Sequence, residues 1–190
     1  MKMSSTEQSV MNSRLRHWFQ EHYEFTVMRR QLLRRGIDLR GRVLLDAGCG
    51  AGANICLLQQ ALAPQVVYGI DLLPEEVTLA RQNAPDAQIA VGDLTATEFS
   101  DAFFDAVFAF GVFHHIPQWP IALQEVRRIL KPGGVLVGGE IKLVRAVNFS
   151  WPGFVQDVEM AGFTMLESQK IYFGYFYSYL CATPDGGRGN

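Results

Sequence analysis

The sequence predicts an α/β fold, a doubly wound and mostly parallel sheet with helices packed on both faces. Strand-like apolar runs alternate with helical patterns along the chain, the signature of βαβ crossovers. The early strand-like runs are apolar almost throughout, as strands buried on both faces must be. The last two runs are joined too tightly to hold a crossover helix, so they should pair antiparallel.

Residues 6–35 contain no proline or glycine before Gly36, and Val10, Leu15, Trp18, Phe19, Phe25, Met28, Leu32 and Leu33 recur at helical spacing. They read as a helical segment, bent near Tyr23. RVLLDAG is a strand, ANICLLQQALA a helix and QVVYGID a strand. PEEVTLARQNA is the next helix, and its proline suits a first turn. AQIAVGD and FFDAVFAF read as strands, and PIALQEVRRIL as an amphipathic helix stopped by KPGG. GVLVGGEI is a strand, WPGFVQDVEMAG a short helix, and FTMLESQKIYF and YFYSYLCAT two strands hinged at Gly174. The organisation is an N-terminal helical segment or lid (1–36), one α/β domain (37–183) and a frayed, disordered tail (184–190).

Composition narrows the function classes. At 190 residues the chain can bury one real core, and its 48% hydrophobic and 19% charged content is that of an ordered globular protein. A net charge of −2 provides no global field toward nucleic acid or anionic membrane, leaving only local patches open. The basic run Arg29, Arg30, Arg34 and Arg35 fits a solvated helix face. The polar start has no signal-type stretch, and no run approaches the ~20 apolar residues of a membrane span. The cytoplasm is the expected address. Cys49, Cys56 and Cys181 offer neither a disulfide framework nor a zinc pattern, and no metal is expected.

The densest glycine cluster, VLLDAGCGAGAN, directly continues the first strand. Gly48, Gly50 and Gly52 permit a tight turn and close approach of a ligand to main chain. Acids fall at three successive strand ends: Asp46, Asp71 and Asp93. Ligands of doubly wound sheets bind beyond such ends, and Asp71 stands about 20 residues past the loop, where a carboxylate can accept from ribose hydroxyls. The glycines also satisfy a dinucleotide fingerprint, in which a pyrophosphate rests on the helix start. Asp46 opposes that use, because an acid at the loop mouth repels phosphate and suits an ammonium and a sulfonium. Asp71 and Asp93 also fit simple caps, on the helix at Pro74 and on the turn before Thr95.

VLLDAGCGAG, YGIDLLPEEVTLAR, VGDLTATEF, FDAVFAFGVFHHI and EVRRILKPGGVLVGGE together resemble the ordered motifs of class I S-adenosylmethionine-dependent methyltransferases, over about residues 42–183. The resemblance implies a Rossmann-like seven-stranded sheet with an antiparallel last strand, and S-adenosylmethionine as cofactor, leaving as S-adenosylhomocysteine. It further implies that Asp46, Gly48, Cys49 and Gly50 line the methionine portion, with Gly52 allowing close helix–strand packing. Asp71 would hold the ribose, Leu72 would pack on adenine, Asp93 and the Leu94 backbone would flank the ring, and Phe110 would border the sulfonium. Tyr23 could reach the cofactor from the helical lid.

Methyl transfer is an in-line displacement, so alignment dominates and a base matters only where the acceptor must lose a proton. His114 and His115 leave the fourth strand at the rim, ~100° apart on a helical turn, so both cannot face the site. In resembling sequences the second of the pair plays a structural part, which leaves His114 as the candidate base or acceptor-orienting group. A surface or capping role suits either. Trp18, Phe19, Phe113 and His114 are candidate acceptor contacts, and IKLVRAVNFSWPG should help set specificity. AFGVFHHI is not the Asn-Pro-Pro-Tyr type associated with amide or base amino nitrogens, no Pro-Cys nucleophile is present after it, and the acids form no catechol-type metal cluster. The expectation is an enzyme acting on oxygen, carbon or nitrogen of a small molecule, as a monomer or homodimer, with nucleic acid and membrane disfavoured as partners. Its rivals are a non-catalytic cofactor-binding partner subunit, an RNA or protein methyltransferase, and an NAD-dependent oxidoreductase.

Overall fold

The structure is a computed structural model that describes residues 24–144 and 148–186. Its strands, in chain order, are β1 (Val43–Ala47), β2 (Val66–Asp71), β3 (Gln88–Val91), β4 (Phe104–Phe110), β5 (Leu130–Ile141), β6 (Leu143–Val144), β7 (Phe149–Ser150), β8 (Thr164–Ile171) and β9 (Phe176–Ala182). Seven of them form the main sheet, in the order β3-β2-β1-β4-β5-β9-β8. The first five pair parallel, and β9 runs antiparallel between β5 and β8. The short turn at Phe173 and Gly174, both with positive φ, joins β8 to β9 and imposes that reversal, as the sequence implied.

Helices cover both faces. α1 (Phe25–Arg34), α2 (Ala53–Leu62) and α3 (Pro74–Asn83) bury Met28, Leu32, Ile55, Leu58, Val77 and Ala80 against one side. α4 (Trp119–Ile129) and α5 (Trp151–Met160) bury Leu123, Val126, Phe154 and Val158 against the other. The strict alternation along β1 sends Leu45 and Ala47 to the second face and Leu44 to the first. Asp46 therefore shares the face of Leu44, beneath the glycine loop and α2. By the same period Glu140 on β5 faces the side of Leu136, toward α4 and α5.

Three details differ from the sequence reading. β5 begins at Leu130, before the KPGG terminator, because Leu130 is already extended and pairs with Phe104; the glycines form an irregularity before Val135 meets Ala106. β6 and β7 pair antiparallel as a second, two-stranded sheet, within the stretch expected to set specificity and where local pattern indicates no strand. Finally, α1 packs on the sheet at β9: Ser178 Oγ donates to Gln31 Oε1 at 2.9 Å, and Arg34 and Arg35 bind Glu167 at 2.8 and 3.3 Å. The lid residues Trp18, Phe19 and Tyr23 lie outside the described residues. No helix among the described residues is long and apolar enough to cross a membrane.

Candidate active site

The carboxyl ends of β1, β2 and β4 lie side by side in the sheet, where a doubly wound fold has its ligand crevice, and the glycine loop after β1 is the floor there. Gly48, Gly50 and Gly52 have φ of 71°, 48° and 87°, a region that L side chains rarely adopt. A Cβ on Gly48 would lie 2.7 Å from a methyl of Val112, so this glycine lets the segment after β4 close on the loop. A Cβ on Gly52 would meet Ala80 of α3 at 3.1 Å; the close packing it permits is of helix on helix, not helix on strand.

The loop's amides turn inward. Gly48 and Cys49 N–H both donate to Ile70 O at 2.8 and 2.9 Å, and Gly50 N–H donates to Asp71 Oδ2 at 2.9 Å. Donors engaged this way are not displayed to a pyrophosphate, which argues against the dinucleotide reading. Asp71 also accepts from Leu73 N–H at 3.0 Å through its other oxygen, so it braces loop and helix entry together. A carboxylate has about four acceptor positions, and two remain for a ribose diol.

Acids surround this floor. Asp46 is fully buried, and neither of its oxygens has a hydrogen-bond partner among the described residues. Burial, then the charge of Asp71, pushes its carboxyl well above the ordinary range. The Cys49 thiol is likewise pushed up by burial, then by the charges of Asp46 and Asp71 and, least, of Glu76. Glu76, on the first turn of α3, is buried with Oε2 3.9 Å from where a Gly50 Cβ would sit. Sequence reasoning missed it: the Pro-Glu-Glu start resembles an ordinary acidic helix beginning, and only the fold turns Glu76 onto the loop. A buried acid with unfilled acceptors beside two more acids fits the ammonium and sulfonium of S-adenosylmethionine, and does not fit a phosphate.

The other expected cofactor contacts are placed variously. Leu72 is 65% exposed at the rim, whereas Leu94 is buried. Phe110 is buried at the end of β4, its ring 6.3 Å from that of Phe108. Asp93 Oδ1 caps its own turn, accepting from Thr95 N–H at 2.8 Å and Thr95 Oγ1 at 2.7 Å.

On the other face, β4 leads into a 3₁₀ turn, Phe113–His115. Glu140 is fully buried under it. Its Oε1 accepts from Val112 and Phe113 N–H, both at 3.0 Å. Its Oε2 accepts from His114 N–H at 3.2 Å and lies 2.5 Å from His114 Nδ1. Glu140 was also missed from sequence, because a strand-end glutamate has no spacing signal that ties it to a turn 26 residues earlier. The His114 and His115 ring centroids are 4.1 Å apart, closer than diverging Cα–Cβ bonds imply, since each ring swings about its own side-chain torsions. Phe113 is wholly buried, 5.3 Å from Phe154, and packs the core. Phe149 of β7 is buried between His114 (6.1 Å), Trp119 (5.3 Å) and Phe154 (5.6 Å), and Trp151 stacks on Tyr177 at 4.3 Å. The small hairpin thus supplies an aromatic wall beside the histidine.

Elsewhere, a surface groove of about 600 Å³ lies between α1 and α2, lined by residues including Arg29, Arg30 and Leu57; none of the crevice acids reaches it. Among the described residues, no group of three or more His, Cys, Asp or Glu is placed to hold a metal ion.

Comparison with known proteins agrees with this geometry. Residues 45–138 match the family model described as a methyltransferase domain. The chain is 32% identical over 107 residues to a probable phthiotriol/phenolphthiotriol dimycocerosates methyltransferase 2 of Mycobacterium ulcerans, covering 55% of this chain and 42% of that one. It is 32% identical over 138 residues to a fatty-acid O-methyltransferase of Mycolicibacterium smegmatis, covering 72% and 49%. The chain thus spans half or less of the length of these relatives. A methyltransferase structure from Aquifex aeolicus superposes with a TM-score of 0.77 at 18% identity, over 95% of this chain and 99% of that one, a likeness of fold. The fold, the acid-floored loop and these matches converge: the chain belongs to the class I S-adenosylmethionine-dependent methyltransferases.

Proposed function

We propose that this chain is a methyltransferase for a small, largely apolar acceptor, with S-adenosylmethionine as donor. The observation that carries the proposal is Asp46, a buried carboxylate with unfilled acceptors under a glycine loop. Asp46 would take the donor's ammonium, with Gly48, Cys49 and Gly50 beside the methionine portion. Asp71 would take the ribose, Leu72 and Leu94 the two sides of the adenine, Asp93 its amino group, and Phe110 the edge nearest the sulfur. When bound, S-adenosylmethionine supplies a methyl carbon on a positive sulfur, and the breaking bond's electron pair leaves on that sulfur.

The protein's own share is alignment and proton handling. The Gly48–Val112 contact joins the donor floor to the turn bearing His114, which fixes one relative to the other. His114 would accept a proton from the acceptor at the rim. Phe149, Trp151 and Tyr177 would exclude water and receive apolar surface. The names of the mycobacterial relatives, a fatty-acid enzyme and a lipid enzyme, support an apolar acceptor.

The test has two stages. Calorimetry should show S-adenosylhomocysteine binding and no NAD binding; the reverse would overturn the proposal. Labelled methyl should then pass to a fatty acid, an alkylphenol or a component of a lipid extract. Donor binding with no labelled product across these would instead favour a non-catalytic partner subunit.

A further inference from the structure

We propose that Glu140 is a positioning residue that holds His114 in its Nδ1–H tautomer, and that the site thereby selects acceptors arriving with an acidic proton. The inference rests on the reading of His114 as the base and names the acceptor class for it.

Four contacts carry it. Glu140 is wholly buried, yet among the described residues all of its acceptor contacts go to one turn: three backbone N–H groups and one ring nitrogen. The three N–H contacts alone would anchor the turn. The fourth, at 2.5 Å, specifies the ring. A carboxylate offers only acceptors, so the nitrogen facing it at that distance carries the proton. In the neutral imidazole the lone pair then falls on Nε2, on the side away from Glu140. The His115 ring lies 4.1 Å away and Phe149 is apolar. Tyr179, behind Glu140, donates to Ala109 O at 3.3 Å and is held protonated by burial and by the Glu140 charge.

An imidazole fixed in this way can take a proton at Nε2 and cannot give one. The acceptor's O–H proton passes to Nε2, and the O–H electron pair stays on oxygen and becomes the new O–CH3 bond. The imidazolium so formed lies against Glu140, which stabilises it, and passes its extra proton to water after product leaves. Phenols and enolisable carbon acids benefit from this arrangement. A carboxylic acid, already ionised at neutral pH, and a tertiary amine have no proton to lose and gain nothing from it.

Glu140→Gln separates positioning from anchoring. A glutamine has one acceptor oxygen, so its amide must present N–H groups to one side of a turn that now offers only donors. With the oxygen kept toward Val112 and Phe113, the amide faces His114 and favours the opposite tautomer. The experiment is a long-range ¹H–¹⁵N correlation on histidine-labelled protein, with His114 assigned by its loss in His114→Gln. It is paired with methyl transfer to an alkylphenol and with S-adenosylhomocysteine binding.

The wild type should show Nδ1–H, and Glu140→Gln should show Nε2–H. Turnover in that variant should fall on the order of 10²-fold, with acceptor KM and S-adenosylhomocysteine affinity near wild type. An Nε2–H wild-type ring overturns the assignment without any variant. So does a Glu140→Gln protein that binds S-adenosylhomocysteine but keeps both tautomer and turnover. If the tautomers are as stated and His114→Gln turns over normally, the base reading falls and the acceptor selection with it. If His114→Gln is inactive but Glu140→Gln is not, the base stands and Glu140 is only an anchor.

Discussion

Asp46→Asn tests the donor site through two effects of opposite sign. Asn keeps the shape of Asp46 and removes its charge. In the folded protein Asp46 is fully buried, has no hydrogen-bond partner among the described residues and stands near Asp71, so its carboxyl is raised well above 3.8. The folded protein therefore holds this proton to higher pH than the unfolded chain does. Stability is fully present below the unfolded value and declines as pH rises through the raised one. At neutral pH the substitution exchanges a buried charge for a buried amide that is itself unpaired, so it removes only the excess cost of the charge, on the order of 1 kcal/mol. For a chain of this size that raises Tm by roughly 2–4 °C. The gain should widen as pH rises above about 4 and vanish in more acid solution. Binding moves the other way: losing a charge-assisted contact worth about 1.5–3 kcal/mol weakens S-adenosylhomocysteine roughly 10- to 150-fold. Melting curves across pH, with and without S-adenosylhomocysteine, and calorimetry read both effects. An Asp46→Asn protein that melts no higher than wild type, or that binds S-adenosylhomocysteine as tightly, refutes the reasoning.

Gly48→Ala places a methyl 2.7 Å from Val112 at φ 71° and should cost about 1–3 kcal/mol in urea unfolding; adding Val112→Ala should recover the steric part and leave the backbone strain. Phe149→Ala, emptying a fully buried site between His114, Trp119 and Phe154, should cost about 3–5 kcal/mol and lower acceptor turnover more than donor affinity. The Arg128 guanidinium and the Thr97 hydroxyl and amide beside Glu125 lower its carboxyl from 4.5 to about 2. That stabilisation is present above pH 4.5 and is lost as pH falls toward 2, so Glu125→Gln should flatten the acid limb of a stability–pH curve. An unchanged limb would assign acid sensitivity to other groups.

Much of the fold could be read from local pattern. Apolar runs of strand length, helix periods between them and the punctuation at Gly36, Pro74 and Gly174 are all short-range signals, and strands β1 to β4, β8 and β9 fell where they indicated. The β6–β7 pair was not readable, because two-residue strands have no period to detect and exist only through cross-strand contact. The early start of β5 was hidden for a related reason: KPGG is a sound helix terminator, but the pairing of Leu130 with Phe104 decides where the next strand starts.

The donor site divides in the same way. Asp46, Asp71 and the glycines are recognisable because strand ends and a tight loop bring residues near in sequence near in space. Glu76 and Glu140 required the fold. By itself, the sequence determined the sheet, its reversed last strand and an acid-floored loop suited to a cation, since each depends on contacts within a few residues or on a repeated unit. Only the tertiary structure decided that Gly52 opens onto α3, that Glu76 is a third acid at the loop and that Glu140 grips the turn of His114. Those contacts join residues 26 or more positions apart, and nothing in local pattern encodes which distant side chains burial will bring together.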